Sequence, residues 1–367
     1  MKNDELLADI IINHSLETKK DEKIILYYET KEADNLVKEI IKKANEKEAS
    51  VYLRYTDPKL DKLLKENLRE SVFDVYKNEI KFDVANFDSF IAIRCNVNDY
   101  EYKNVNDNML GKLNKLKSRY NDIKINNRKW VLLNYPSDVE AYKAKMTYDD
   151  YKNFSYSAMC EDYDKMQKDI RPLKLLMETT DKVRLTGVDT DITFSIKDMP
   201  IIPCCGEKNI PDGEIYCAPV KKSVNGYIKY NTPSPYRGEV FHGVKLTFKD
   251  GKIIDATCDE KEKQDKLNEI FNTDAGARYV GEFSIGLNPK IKHPIGNILF
   301  DEKIIGSIHF TPGMAYKDSY NGNSSSIHWD MVLIQRKDYG GGDIYFDDVL
   351  IRKDGKFVIS DLLHLNK

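Results

Sequence analysis

The sequence predicts an α+β protein of two domains, an N-terminal α/β domain with a mostly parallel sheet and a C-terminal, mainly antiparallel β domain. Two observations predict this organisation. In the first half, short apolar segments alternate with stripes of apolar residues at helical spacing. After residue 180, apolar residues recur at every second position between glycines and turn residues. The 367 residues are enough for two domains, which we predict to span residues 1–180 and 181–367.

The first half follows the order strand, helix, strand. Apolar segments at 23–28 and 51–55 flank an amphipathic helical stripe, which predicts a parallel strand pair with a right-handed crossover. Segments 90–93 and 130–133 predict further buried strands of the same sheet. No glycine-rich phosphate loop follows these strands, which disfavours a nucleotide site. Farther on the pattern is helical, and Pro172 is predicted to begin a new helix, since proline suits a first helical turn.

Composition excludes several classes of function. Charged residues make up 32% of the chain, but the net charge of −3 indicates neither nucleic acid nor an anionic membrane as a partner. The longest apolar runs fall far short of the ~20 residues of a membrane span, and the acidic N-terminal segment lacks a signal-peptide pattern. The six cysteines are scattered without CxxC spacing, which disfavours a thiolate zinc site or a disulfide framework. We therefore expect a cytoplasmic protein with reduced thiols.

Chemistry-bearing residues concentrate in one predicted hairpin, at residues 307–330. It carries His309 in an apolar strand, Tyr316 in a loop, and His328 two residues before Asp330. On a strand, residues two apart point to the same face, so His328 and Asp330 are expected to face one site. Two imidazoles and a carboxylate suit a divalent cation, but they need further ligands.

Two acids upstream can complete such a site. Glu214 heads an apolar strand after a turn, and Glu282 lies inside an apolar segment bracketed by glycines. An acid among buried strand residues is costly unless it is paired or bound to a metal. Each residue also has an ordinary interpretation, because an acid beside a turn is usually solvated and a buried histidine is often only hydrogen-bonded. From these residues alone, both interpretations remain open.

Several longer motifs resemble the thermophilic-type metallo-aminopeptidase family, the group of aminopeptidases T and S. The resemblance extends over most of residues 173–358 and is weaker in the first half, where it rests on the β-α-β pattern. The motifs are NIPDGEIYCAPV (209–220), SVNGYI (223–228), TDAGARYVGEFSIGLNP (273–289), NILFDEKIIGSIHFTPGMAY (297–316) and NGNSSSIHWDMV (321–332).

This resemblance implies a peptide hydrolase that uses two divalent metal ions (Zn, Co, or Mn or Mg) to remove the N-terminal residue of short peptides with a free N-terminus. It implies Tyr316 as the active-site tyrosine, and a homodimer. A carboxylate must carry the proton to the leaving amine, and Glu214 and Glu282 are the two candidates for this catalytic role. The metal ligands that the resemblance implies are Glu214, Glu282, His309, His328 and Asp330.

Two alternatives remain. One is a different metallohydrolase, such as a carboxypeptidase or an amidase, and the other is a non-catalytic homologue with a binding role. An N-acetylated peptide separates the enzymes, because only an aminopeptidase requires a free amine. Bound metal without turnover would favour the non-catalytic homologue.

Overall fold

The computed structural model describes residues 2–98, 100–236 and 238–367. Its contacts divide the chain into two compact units. The first contains the described residues up to Glu161 together with Gly206–Pro211, and the second contains Asp162–Cys205 and the described residues from Asp212 to Lys367. The boundary that we predict between residues 180 and 181 stays a prediction, and the helix that precedes it belongs to the second unit.

The N-terminal part alternates helices and strands. In chain order they are α1 (Lys2–Asp9), β1 (Lys23–Tyr28), α2 (Asp34–Glu46), β2 (Ser50–Tyr55), α3 (Pro58–Glu66), α4 (Phe73–Asn86), β3 (Ser89–Arg94), α5 (Asp107–Asn127), β4 (Lys129–Asn134), α6 (Asp138–Lys143) and α7 (Tyr148–Met159). Helix α2 shows why the alternation is stable, because its stripe of Leu36, Val37 and Ile40 is buried.

The remainder of the chain begins with a helix and continues mainly as strands. These elements are α8 (Tyr163–Thr179), β5 (Lys182–Gly187), β6 (Thr190–Ser195), β7 (Ile202–Cys204), β8 (Asn209–Ile210), β9 (Glu214–Cys217), β10 (Asn225–Lys229), β11 (Ser234–Tyr236), β12 (Glu239–Phe241), β13 (Lys245–Lys249), β14 (Lys252–Thr257), α9 (Gln264–Phe271), β15 (Val280–Gly286), α10 (Ile298–Asp301), β16 (Ser307–Pro312), β17 (Val332–Ile334), β18 (Gly342–Phe346), β19 (Val349–Lys353) and β20 (Lys356–Phe357).

The sheet of the first unit is parallel. Its strands lie in the order β2, β1, β3, β4, β8, and β1 pairs in parallel with both β2 and β3. Strands β3 and β4 continue the parallel pairing, with Ile91 opposite Val131. Parallel strands of this kind are buried beneath crossover helices, as the apolar segments of the sequence predict.

The second unit is built from antiparallel sheets. One has the order β14, β13, β10, β6, β5, β18, β19, β20, and another has the order β17, β16, β15, β9, β7. Aromatic rings from these two sheets meet in the core, where the ring of Phe194 lies 4.9 Å from that of Phe283 and 5.1 Å from that of Phe310. The predicted α+β fold, parallel in the first part and antiparallel in the second, is therefore confirmed.

One local prediction is wrong. Pro172 does not begin a helix but lies inside α8, which starts at Tyr163 after Asp162 caps it by accepting a hydrogen bond from the backbone N–H of Lys165. Burial of Ile170 and Leu173 on either side of the proline holds the helix together despite the missing N–H donor. Among the helices of the described residues, none has both the length and the apolar content that a membrane crossing requires.

Candidate metal centre

The strand alternation of β15 and β16 separates the candidate ligands from the core. Glu282 and His309 point to one face of their sheet, whereas the next residues, Phe283 and Phe310, point to the other. The two phenylalanine rings lie 6.4 Å apart in the aromatic core. The apolar residues that surround each predicted ligand therefore anchor its strand, and this leaves the ligands together on the opposite face.

A bulge at Gly281 sets the position of Glu282. The pairing register of β15 with β16 shifts between Val280 and Glu282. A Cβ atom on Gly281 would lie 2.1 Å from the carbonyl oxygen of Met314, so this backbone contact requires glycine. Bulges of this kind redirect side chains beside functional sites. The conformation brings Glu282 within reach of the loop that carries His328.

Glu282 lies between the two imidazoles. Its Oε1 is 2.9 Å from Nε2 of His309, and its Oε2 is 3.4 Å from Nε2 of His328. Glu282 is 3% exposed, so its oxygens depend on these partners rather than on water. One carboxylate therefore connects the strand ligand with the loop ligand.

Both imidazoles are oriented by backbone carbonyl groups. Nδ1 of His309 lies 3.3 Å from the carbonyl oxygen of Glu302, and Nδ1 of His328 lies 2.8 Å from that of Met314. A ring nitrogen facing a carbonyl oxygen must carry the proton, so Nε2 of each ring is left to face the carboxylates. This is the usual arrangement of metal-ligating histidines.

The remaining predicted ligands are held by hydroxyl groups. Ser284 donates a hydrogen bond of 2.9 Å to Oε2 of Glu214, and Thr311 donates one of 2.8 Å to Oδ1 of Asp330. Oδ1 of Asp330 also lies 3.2 Å from Nε2 of His328. All five predicted ligand residues thus lie at one place, although their role as ligands stays a prediction.

The expected strand around His328 and Asp330 is absent from the described structure. His328 forms only an isolated bridge with Gly313, and β17 begins at Val332. A hydrogen bond with the Met314 carbonyl oxygen fixes the His328 side chain, and one from the Thr311 hydroxyl fixes that of Asp330. These bonds take the place of the backbone hydrogen bonds that a strand would provide. The side chains of His328 and Asp330 therefore still meet, at a distance of 3.2 Å, without a strand to align them.

Sequence reasoning missed Glu302 and Lys303, which follow α10. Burial raises the pKa of Glu302 to about 8, against the opposing charge of Lys303. The Lys303 side chain is fully buried and contacts Glu302 and Glu214. A turn with the sequence Asp-Glu-Lys ordinarily predicts a solvated surface, so no signal in the sequence indicated this burial.

Within the described residues, several groups of potential ligand atoms lie within 4.8 Å of one another. They are Glu214, Glu282 and His309; Glu282, His328 and Asp330; Glu302, His309 and Asp330; and Cys204, Asp212 and Glu214. The last group adds a thiol that the sequence did not indicate, and burial keeps the pKa of Cys204 well above its ordinary value.

Charges within the centre compensate one another. Burial raises the pKa of Glu282, but hydrogen bonds with His309 and His328 outweigh it and leave the pKa below its ordinary value. Burial lowers the pKa of His309, yet the charge of Glu214 and the hydrogen bond with Glu282 raise it to about 10. Because a ligating imidazole must be neutral, binding a cation here would release protons.

Tyr316 lies beside this group of side chains. Its ring centroid is 4.5 Å from that of His328, and the residue is 40% exposed. Desolvation of its hydroxyl, followed by the charges of Asp330 and Glu282, raises the pKa of Tyr316 well above its ordinary value. The phenol therefore stays protonated at neutral pH and can donate a hydrogen bond.

Asp274 organises the loop before His328. It accepts hydrogen bonds from the Ser326 N–H at 2.7 Å, the Ser325 hydroxyl at 2.8 Å and the Gly276 N–H at 2.9 Å. Burial raises the pKa of Asp274, but these donors outweigh it and lower the pKa from its ordinary 3.8 to about 2. A carboxyl group with a lowered folded-state pKa stabilises the protein above pH ~4, and this contribution is lost as the pH falls toward 2.

Asp274→Asn should therefore lower the Tm at pH 7 by roughly 2–4 °C, and this difference should disappear near pH 2. Thermal unfolding followed by circular dichroism across this pH range tests the prediction. Asp255→Asn, which changes an exposed acid on β14, is the matched control and should leave the Tm unchanged. An equal Tm loss at every pH would contradict the electrostatic explanation.

The donor set suits a divalent cation. It combines neutral imidazole nitrogen with carboxylate oxygen, the ligands that zinc and related ions use in proteins. An antiparallel β unit with such a cluster beside a protonated tyrosine defines a candidate metallohydrolase. Residues 2–357 match the model of the family described as thermophilic metalloprotease (M29), and the chain belongs to this family. The predicted family resemblance is confirmed.

Curated relatives match over shorter stretches. Aminopeptidase PepS of Streptococcus thermophilus is 34% identical over 143 residues, which cover 34% of this chain and 34% of that protein. Aminopeptidase 2 of Geobacillus stearothermophilus is 32% identical over 169 residues, 40% of this chain and 37% of that protein. Aminopeptidase T of Thermus aquaticus is 29% identical over 141 residues, 34% of each chain. The chain thus spans about a third of the length of these relatives.

Two solved structures share the fold over nearly the whole chain. Wild-type AmpT from Thermus thermophilus has a TM-score of 0.80 at 18% identity, covering 98% of this chain and 99% of that chain. The 2,5-dihydroxypridine dioxygenase of Pseudomonas putida KT2440 has a TM-score of 0.61 at 13% identity, covering 98% of each. Proteins with such different names share this fold, so function must be argued from the residues of the site.

Proposed function

We propose that this protein is a metal-dependent aminopeptidase, which removes the N-terminal residue of short peptides with the aid of two divalent cations. The observation that carries the proposal is the position of Glu282, whose two oxygens face two different imidazoles. One ligand group pairs Glu282 with Glu214 and His309, and the other pairs it with His328 and Asp330. A carboxylate common to both groups suits two neighbouring cations.

Each side chain has a role in this proposal. Glu214, Glu282, His309, His328 and Asp330 hold the cations, and Glu302 is a further candidate ligand because it lies within 4.8 Å of His309 and Asp330. Divalent cations held by these residues would polarise a carbonyl oxygen and lower the pKa of water toward neutrality. Glu214 or Glu282 can then carry the proton from water to the leaving amine, since both have an oxygen within the centre.

The proposal extends to the substrate and the assembly. A free α-amine supplies a ligand atom that an internal or acetylated peptide lacks, so the centre would select the N-terminus. Aminopeptidases among the relatives support this substrate class. Zinc, cobalt, manganese or magnesium as the metal, a homodimer and a cytoplasmic location belong to the same proposal.

The decisive experiment removes and restores the metal. After treatment with a chelator, cleavage of an aminoacyl-anilide or a short peptide should fall by at least about 100-fold, because the metal contributes several kcal/mol to the rate. Adding back Zn, Co or Mn should restore it. An N-acetylated version of the same peptide is the control and should stay intact. Cleavage of the acetylated peptide would favour another hydrolase, and absence of turnover with every metal would exclude the enzyme.

A further inference from the structure

Lys303 is a charged side chain buried within the candidate metal centre. It is 0% exposed, and its ammonium lies 3.4 Å from Oε1 of Glu214 and in direct contact with Oε1 of Glu302. A buried ammonium is costly unless carboxylates compensate its charge. The aminopeptidase mechanism proposed above gives this lysine no role.

The backbone holds Lys303 close to β15. Its N–H donates to the carbonyl of Phe300 at 3.0 Å, and its carbonyl accepts from the N–H of Asn288 at 3.0 Å. A Cβ atom on Gly286 would lie 2.3 Å from the carbonyl oxygen of Ile304, so this turn approaches the strand as closely as a glycine permits. The lysine therefore has a fixed place between the turn and the sheet.

The two carboxylate oxygens of Glu214 face different partners. Oε1 faces the ammonium, whereas Oε2 accepts the hydrogen bond from Ser284 and lies 3.5 Å from Nε2 of His309. Glu302 likewise contacts Lys303 through Oε1 while belonging to the group with His309. Lys303 thus contacts one oxygen of each acid, and the other oxygen of Glu214 faces the centre.

The acidic groups of the centre indicate a role for the positive charge of Lys303. Four acidic groups, those of Glu214, Glu282, Glu302 and Asp330, lie together in the centre. The imidazoles of His309 and His328 and the ammonium of Lys303 are the basic groups that contact them. Divalent cations would add positive charge beside these acidic groups only when bound. We propose that Lys303 is a built-in counter-cation, which orients Glu214 and Glu302 and stabilises the centre before metal binds. This inference rests on the proposed metal centre.

A neutral residue at this position would make folding depend more strongly on metal. Without Lys303, the metal-free protein has one positive charge fewer beside these acidic groups, whereas bound cations supply further positive charge in the loaded protein. The same loss of positive charge strengthens the attraction between the carboxylates and a divalent cation. Stability without metal should fall and affinity for metal should rise.

The test compares Lys303→Met with Arg352→Met. Both substitutions remove a fully buried cation within the second unit, but Arg352 contacts the Ser307 carbonyl and Gln335 instead of the carboxylates of the centre. The Tm of each purified full-length variant is measured with chelator and with saturating zinc or cobalt. In Lys303→Met the metal-dependent Tm shift should exceed that of the wild type by at least about 4 °C. In Arg352→Met it should equal that of the wild type.

Calorimetric titration of the same metals gives a second readout, with the Kd of Lys303→Met expected to be at least about tenfold lower. Wild-type protein that no divalent metal stabilises would refute the proposed centre itself. A wild-type shift that stays unchanged in Lys303→Met would overturn only the role of Lys303, because a packing residue affects both forms equally.

Lys303→Arg keeps the positive charge, so it keeps the test informative if Lys303→Met does not fold. Two outcomes support the counter-cation role. In the first, Lys303→Met folds only when metal is present. In the second, Lys303→Met does not fold, whereas Lys303→Arg folds and shows a metal-dependent Tm shift like that of the wild type. If both variants stay unfolded at saturating metal, Lys303 is required for packing and the inference is overturned.

Discussion

Glu282→Gln should abolish turnover and remove most of the bound metal. The two oxygens of Glu282 face His309 and His328 at 2.9 and 3.4 Å, so this side chain belongs to both proposed ligand groups. The amide keeps the shape but replaces one anionic oxygen with an NH₂ group, which cannot ligate a cation in this way. We expect kcat/KM to fall by at least about 10³-fold, which is roughly 4 kcal/mol.

Metal content per chain, measured by inductively coupled plasma mass spectrometry, is the accompanying readout and should fall with the activity. Glu239→Gln is the matched control, because Glu239 pairs with Lys266 on the surface at 2.6 Å and belongs to none of the candidate groups. It should leave metal content and rate unchanged. Wild-type metal content in Glu282→Gln would refute the shared-carboxylate arrangement, even if the rate fell.

The fold of the first half was predictable because local patterns and long-range packing agree there. In α2 the residues at helical spacing are those that the structure buries, including Leu36, Val37 and Ile40. The apolar segment at 23–28 coincides with β1. Pro172 shows the opposite case, because packing on both sides of it overrides a local signal for a helix start.

The candidate site was predictable where a functional residue interrupts an apolar strand. Glu282 and His309 stand out because burial of a polar group among apolar neighbours requires a partner. Glu302 and Lys303 could not be found in this way, since with Asp301 they form a charged run that ordinarily predicts a solvated turn, whereas the structure buries Lys303 completely. The bulge at Gly281 was equally hidden, because it depends on the approach of the Met314 carbonyl from another segment.

Tyr316→Phe should lower kcat by about 10²–10³-fold while KM and metal content stay close to the wild-type values. The phenol lies beside the centre, with its ring 4.5 Å from that of His328 and 6.1 Å from that of Tyr216. Phenylalanine keeps these ring contacts and removes only the hydroxyl. We propose that this hydroxyl donates a hydrogen bond to the oxyanion that forms when water attacks the peptide carbonyl. Such a bond strengthens in the transition state, so its loss reduces kcat more than it affects substrate binding.

Steady-state kinetics with a short peptide, together with a metal count, separate this role from its alternatives. Tyr320→Phe is the control, because Tyr320 lies nearby in the chain, is 50% exposed and directs its hydroxyl to Ser324 at 2.9 Å. It should change kcat by less than about twofold, as expected for a surface hydroxyl. If Tyr316→Phe loses metal, the tyrosine supports His328 structurally, because their rings are in contact. If KM rises at constant kcat, the hydroxyl binds the substrate equally in the ground and transition states, and the oxyanion role is refuted.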